Sequence, residues 1–579
     1  MHRFACSWLL ACLAVGGMVA VAGCGKTETD CEDGIGCVDP GTGGSGGTSG
    51  TGGTAGDAGS SGSGGTIGDA GDEDVSTGGT GGTAGEGGSA GADAGDASDD
   101  LTDAAEEPEA FWCDPTWEPG DHECVIDDEF GVFVSPSGSD GAGCGTEANP
   151  CATMARGMIE AKAAGKRVYA CGDGGAYAEN LVVDASLDGL VVFGGFHCSG
   201  WTYEPDFVKT NVAPASGSAL VVENLTTGLD MRDFALTSAD ATTPGSSSVA
   251  AVVRNAQNVV LRRCEIQAGA GASGVAGQPG TKGGDGAVAD AAQTGRVASC
   301  VTVPDVQSGG TWSAASSCGS QGGFGGPAIK NNNGSNGDQG IPATNVTPPN
   351  VDNRGIGGTV VGEEGGAGGP GSSGNAGSNG PAAPATGQLS TSGYTPADGL
   401  AGTDGRTGQG GGGGGASRSA ANCIGASGGA GGMGGCGGTH GTGGTGGGAS
   451  VAMLVWDSVL TLDGCTLTSA TGGAGGSGGP GGGGGLGQDG GDGGNSGGGM
   501  GRGGKGGKGG SGGPGGSGSG GTGGPSYALV YHGAAPTEQG ANTLAPGSGG
   551  AKGLGGQAPG GNAAPDGSEG QAAQRHEVP

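Results

Sequence analysis

The apolar positions of this chain recur at a fixed spacing. In the segment GLDMRDFALTSAD, Leu229, Met231, Phe234 and Leu236 stand at steps of two, three and two. NVVLRRCEIQAGA repeats the spacing with Val259, Leu261, Cys264 and Ile266, and SVLTLDGCTLTSA repeats it with Leu460, Leu462, Cys465 and Leu467. A step of two is strand alternation, with every second side chain on one face, and the step of three marks a corner with one extra residue pointing outward. Each segment follows another apolar run, at 219–222, 249–253 and 451–455, and 527–531 has the character of the same strand in a fourth turn. The pattern predicts an all-β stack of coils with Met231, Leu261 and Leu462 in one interior column.

Upstream, short strands are expected at 131–134, 167–170, 177–183 and 190–196. A helix is expected over 155–164, ended by Gly165, with Met154, Met158, Ile159 and Ala161 on one face. The corner residues Phe234 and Cys264 are 30 positions apart, but Cys264 and Cys465 are 201 apart. A large insertion at one corner, residues 268–448, accounts for the jump. A second insertion, 472–525, separates the coil at 449–471 from a last coil at 526–545. Loop closure costs grow slowly with length, so such insertions need not destroy a stack. In register, Cys264 and Cys465 are neighbours on adjacent strands. Directly opposed residues on parallel strands rarely meet disulfide geometry, so they are expected as stacked inward thiols.

The insertions bring in composition. Of 579 residues, 154 are Gly, while hydrophobic residues make up 33 % and aromatics 4 %. That excludes a single large α/β enzyme or a helical bundle. In the second insertion the third position of a Gly-Gly-X pattern falls at Ala474, Ser477, Pro480, Leu486, Asp489, Asp492 and Asn495. After a phase slip it falls at Arg502, Lys505, Lys508, Ser511, Pro514 and Ser517. Three residues per turn is the polyproline II repeat, and Pro is too sparse for collagen. Two readings remain: a disordered linker, which composition favours, and a packed bundle of Gly-rich left-handed helices. Gly484 to Asp489 matches the start of a calcium-binding nonapeptide, but it stands alone and position 491 is Gly rather than a large apolar residue.

The formal net charge is −35. Residues 25–107 carry 18 Asp and Glu against one Lys, Lys26, and read as a disordered acidic tether. This charge repels nucleic acid, which is not expected as a partner. Residues 108–267 hold the first part of the folded domain with its helix, and 546–579 is expected to be a disordered tail. Residues 1–24, with Arg3 ahead of an apolar stretch from 4 to 21, read as an export signal. Of 17 Cys, Cys6 and Cys12 leave with the signal and Cys24 ends it, which leaves fourteen. An even number in an exported chain points to disulfides. Proximity in sequence suggests Cys31–Cys37, Cys113–Cys124, Cys144–Cys151, Cys171–Cys198, Cys300–Cys318 and Cys423–Cys436. No mature pair has C-x₂₋₄-C spacing, so no metal site is expected, and no phosphate-cradling motif or other cofactor signature is present.

Three resemblances add to this. The segment VSPSGSDGAGCGTEANPCATM, the helix after it and GKRVYACGDGGAYAENLVV resemble the opening of exported right-handed parallel β-helix proteins of the pectin-lyase-like type. VVFGGFHCSGWTYEP is similar to a Gly-Gly-aromatic segment of such bacterial lipoproteins. The likeness covers about residues 130–270 and implies a single-stranded right-handed β-helix with the helix capping its open end. Val21-Ala22-Gly23-Cys24 resembles a bacterial lipobox, which implies a lipid on Cys24 and a membrane anchor. Gly25 in place of Asp implies the outer membrane or surface of a Gram-negative cell. The glycine blocks resemble, in composition only, the Gly-rich repeats (PGRS) of mycobacterial surface proteins.

The expectation is a non-enzymatic, lipid-anchored envelope protein that presents a rigid scaffold and Gly-rich segments for adhesion or matrix contact. The alternative is a carbohydrate-active or glycan-binding protein on the same scaffold. In that case the corner residues Arg232, Asp233 and Arg262 would act on a polysaccharide, since lyases and hydrolases need carboxylates and cations on one outer face.

Overall fold

A computed structural model describes residues 112–301, 303–313, 318–347 and 349–579. Cys24, Cys31 and Cys37, the export signal and the acidic tether lie outside the described residues.

The described chain opens with β1 (Gly131–Val134), helix α1 (Met154–Ala164) and β2 (Arg167–Cys171). Strands then recur in threes: β3 (Leu181–Val183), β4 (Leu190–Phe196) and β5 (Thr210–Val212); β6 (Leu220–Glu223), β7 (Leu229–Arg232) and β8 (Phe234–Thr237); β9 (Ser248–Arg254), β10 (Val259–Arg262) and β11 (Glu265–Gln267). Within the first insertion lie two short antiparallel pairs, β12 (Val306–Gln307) with β13 (Ala328–Ile329), and β14 (Gln388–Ser390) with β15 (Gly393–Thr395). The threes resume with β16 (Ser450–Trp456), β17 (Leu460–Asp463) and β18 (Thr466–Thr468), then β19 (Ser526–His532), β20 (Thr537–Gln539) and β21 (Thr543–Ala545), and end at β22 (Ala572–Val578).

Each set of three sends one strand to each of three parallel sheets. The first runs β1-β2-β4-β7-β10-β17-β20, the second β3-β6-β9-β16-β19-β22 and the third β5-β8-β11-β18-β21. The arrangement is compatible with a parallel β-helix. Leu261 pairs in register with Met231 on one side and Leu462 on the other, and all three are fully buried. Ile266 lies level with Leu236 and Leu467 in the third sheet. Each buried apolar side chain of this kind contributes about 1.5–3 kcal/mol relative to exposure. Cys264 and Cys465 are buried free thiols. The step of three is a left-handed backbone kink at the same place in each coil, Asp233 (φ 65°), Arg263 (φ 49°), Gly464 (φ 64°) and Gly540 (φ 63°).

α1 starts at Thr153, whose side chain accepts from Arg156 N, and stops at Gly165 with φ 65°. It buries Met154, Gly157, Met158 and Ala161, but Ile159 is 53 % exposed. One residue beyond Met158 is a turn of about 100°, which carries Ile159 off the buried face. The expected strand at 177–183 is shorter, because Tyr177 is a buried bridge residue whose hydroxyl donates to Val134 O and Cys171 O.

The glycine blocks are ordered, against the disorder that their composition favours. Extended runs lie side by side and exchange one backbone hydrogen bond every third residue. Gly274, Gly277 and Gly280 donate to Ala474, Ser477 and Pro480 at 2.7–2.8 Å. Gly429, Gly432 and Gly435 donate to Gly504, Gly507 and Gly510 at 2.8–3.0 Å. Gly473 and Gly476 donate to Gly448 and Thr445. The argument from low apolar content assumes that order needs buried side chains. Here the buried groups are peptide units, and their mutual hydrogen bonds hold the runs together. At the close approaches only Gly fits, since a Cβ at Gly476 would fall on the Val275 carbonyl. The phase slip is the turn Gly497–Met500, where Gly498 and Gly499 have φ 58° and 78°.

The bundle also corrects the cysteine pairing. Cys113–Cys124, Cys144–Cys151 and Cys171–Cys198 form as expected, but Cys300 bonds Cys423 and Cys318 bonds Cys436. Nearness in sequence misleads here because the runs fold back in long register. Ser299 N, beside Cys300, donates to Ile424 O, beside Cys423. The tail at 546–579 is ordered too. Its glycines join the bundle, as where Gly550 N donates to Gly524 O at 2.8 Å, and β22 adds a strand beside β19.

Candidate functional site

The corner singled out in the sequence lies where β7 and β10 end. Arg232, Arg262 and Asp463 stand level on β7, β10 and β17. Each charge is spent on a neighbour. Arg232 donates Nε and Nη2 to the Asp230 carboxylate at 2.9 and 2.7 Å, pairs with Glu118, and stacks over Phe193 at 4.9 Å. Burial works against its charge, but Asp230 and Glu118 outweigh that and hold the guanidinium above its ordinary basicity. Arg262 donates to Asp463 Oδ2 at 2.8 Å.

The Asp233 side chain is fully buried and accepts from Tyr203 Oη at 2.6 Å, from Arg263 Nε and Nη2 at 2.8 Å and from Lys209 Nζ at 3.1 Å. Burial and the facing carboxylate push the Tyr203 hydroxyl well above the usual phenol range. A carboxylate saturated by four donors has no lone pair left for general-base work. The structure therefore brings Arg232, Asp233 and Arg262 to one corner but uses them in ion pairs. Arg263, at the same corner, bonds Asp233, and that bond raises its own basicity.

Three histidines rest on aspartates, His197 on Asp173 (2.9 Å), His440 on Asp404 (2.6 Å) and His532 on Asp457 (2.9 Å). Among the described residues two groups have metal-like proximity, Asp140 with Cys144 and Cys151, and Asp173 with Cys171 and Cys198. In both, the sulfurs are tied up in disulfides. Asp489, in the calcium-like stretch, faces Lys508 at 3.7 Å.

A second arrangement was not legible in the sequence. The outer face of the second sheet is apolar, with Val451, Leu454, Tyr527 and Val530, and the β14–β15 hairpin packs Leu389 and Tyr394 onto it. Beside the hairpin, toward β22, lies a cavity of about 610 Å³ lined by Gln388, Tyr394, Tyr527, Glu569, His576 and Glu577, among others. The His576 ring stacks on Tyr527 at 4.5 Å with planes 7° apart. Tyr527 Oη donates to Gln571 Oε1 at 2.9 Å, and Gly387 N donates to Tyr394 Oη at 3.1 Å. Burial pushes the Tyr527 hydroxyl up to about 12 and lowers the basicity of His576. On the other side of the hairpin, a cavity of about 520 Å³ is lined by Ser216, Ser218, Asp240, Thr242 and Ser247 and shares Tyr394. These residues come from five segments of the chain, and no local motif signals their meeting.

No family model, curated protein or solved structure matches this chain. The five disulfides among the described residues fit an exported or extracellular protein. Among the described residues no helix is long and apolar enough to cross a membrane.

Proposed function

We propose that this chain is a non-catalytic, lipid-anchored cell-surface protein. In this reading it is a right-handed parallel β-helix of the pectin-lyase-like type, tethered through Cys24 to the outer membrane or surface of a Gram-negative cell, and it acts in adhesion or matrix contact. The observation that carries the reading is the closure of the corner charges. Arg232, Asp233 and Arg262, the best placed groups for polysaccharide chemistry, are all held in ion pairs. The ordered Gly-rich bundle, stapled by Cys300–Cys423 and Cys318–Cys436, is a rigid body suited to presentation. The alternative of a carbohydrate-active protein keeps its binding half, which the cavity beside Tyr394 favours, and loses its support for catalysis.

The test is whole-cell labelling of the native chain with a membrane-impermeant amine reagent, beside Cys24→Ala. The native protein should be labelled on intact cells and fractionate with membranes, and Cys24→Ala should be released to the soluble fraction. Cleavage of any of a panel of acidic and neutral polysaccharides by the purified chain would sink the non-catalytic reading. A native protein found wholly in the soluble fraction would sink the anchor.

A further inference from the structure

We infer that the groove between the β14–β15 hairpin and the outer face of the second sheet binds a glycan whose rings carry no anionic group. The inference deepens the surface-contact reading by naming the ligand class, and the groove argument stands on its own geometry. A pyranose ring has an apolar face that packs on aromatic rings and a rim of hydroxyls that needs directed polar partners. The groove supplies both. Tyr394 and the His576 ring, which lies parallel on the buried Tyr527, give flat walls, and the Gln571 amide, whose oxygen accepts from Tyr527 Oη, stands beside them.

Charge selects among glycans. Among the described residues lining this cavity there is no Lys or Arg, and the same holds for the cavity across Tyr394, whose wall is hydroxyls and Asp240. A uronate chain would find no Lys or Arg in either wall to offset its charge, and an unpaired charge at an interface opposes association. The walls are also fixed in advance. Tyr527 is held by Gln571 and His576, and the hairpin is held by Leu389 against the sheet and by the Gly387–Tyr394 bond. Little ordering is left for the ligand to impose.

The experiment is calorimetric titration of the full chain with cellohexaose, with the hexamer of N-acetylglucosamine and with hexagalacturonate. At least one of the two uncharged hexamers should bind, and hexagalacturonate should not. Tyr394→Ser and His576→Ala should each weaken binding about tenfold or more, because each removes one stacking plane. Phe207→Ser, at an 86 % exposed position outside the groove, should keep the affinity. Near-ultraviolet circular dichroism of each variant separates lost binding from lost fold. The proposal fails if neither uncharged hexamer binds, if hexagalacturonate binds as tightly, or if folded Tyr394→Ser and His576→Ala both bind like the native chain. Labelling and fractionation report on location independently, so a groove that binds in a protein absent from the surface would overturn only the surface reading.

Discussion

The sheet stack and the Gly-rich bundle reach order by opposite routes. In the stack, large side chains such as Met231, Leu261 and Phe234 fill the interior, and the backbone bonds lie at its walls. In the bundle the interior is mostly backbone, with a few buried side chains such as Ala430 and Met433, and Arg502, Lys505 and Lys508 stand on the outside. The stack loses stability when atoms are removed, while the bundle loses it when atoms are added. Low hydrophobic content is therefore a measure of one kind of core and says little about the other.

Four experiments break or sharpen this comparison. The largest effect is expected from the two bundle disulfides, which close loops of 123 and 118 residues. Replacing either pair by Ser should cost about 4–5 kcal/mol on the chain-entropy estimate. Hydrogen exchange should show the loss in 268–448 and 472–525 while leaving β4, β7 and β10 protected. Equal loss of protection in both regions would show that they unfold as one unit.

Next, Asp233→Ala leaves Arg263 and Lys209 without their buried partner and should cost about 3–5 kcal/mol, measured by denaturant midpoint. A cost below about 1 kcal/mol would mean that this corner is solvated and that its carboxylate is free for other work.

The third experiment sets the two cores side by side. Leu261→Ala should cost about 2–5 kcal/mol by opening a cavity in the stack. Gly476→Ala adds a single carbon against the Val275 carbonyl and should cost about 1–3 kcal/mol, with more if the runs cannot separate. Lys508→Ala, at an outward third position, should be nearly silent in the same melts. A neutral Gly476→Ala would contradict the close approach of the runs.

The smallest effect concerns pH. Burial alone would raise the Asp188 carboxyl, but the N–H groups of Gly228, Thr227 and Thr226 outweigh it and hold it well below the usual carboxylate range. A depressed carboxyl contributes stability that is present above the unfolded value of about 3.9 and is lost as pH falls toward the folded value. Asp188→Asn should therefore remove that contribution, lowering stability at neutral pH and flattening the acid limb of the melting curve below about pH 4. An unchanged acid limb would assign that limb to other carboxylates.

Much of the stack could be read from spacing, because an interior column must repeat its apolar positions in every coil. The two-three-two steps set the register of Met231, Leu261 and Leu462 directly. A second signal passed unnoticed. Asn224, Asn255, Asp457 and Gly533 follow the ends of β6, β9, β16 and β19, and all have positive φ, the conformation that Asn, Asp and Gly tolerate best. β22 escaped because AAQRHEV shows little contrast between its faces. The bundle escaped for a deeper reason: a Gly-Gly-X run is compatible with many neighbours, and which run lies beside which is set by the return path of the whole insertion. The groove shares that difficulty, since Tyr394 arrives from an insertion while Tyr527 and His576 come from the sheet.

The three-residue repeat of the bundle has a consequence for how such a chain can change over time. Lengthening or shortening a run by one or two residues would swing outward side chains into seams that admit only hydrogen. Adding or removing a whole triplet would keep every seam intact, and the excursion would still leave after Gln267 and return at Ser450. Variation in length should therefore come in multiples of three, with the turns as the places where the count resets, as it does at Gly498 and Gly499.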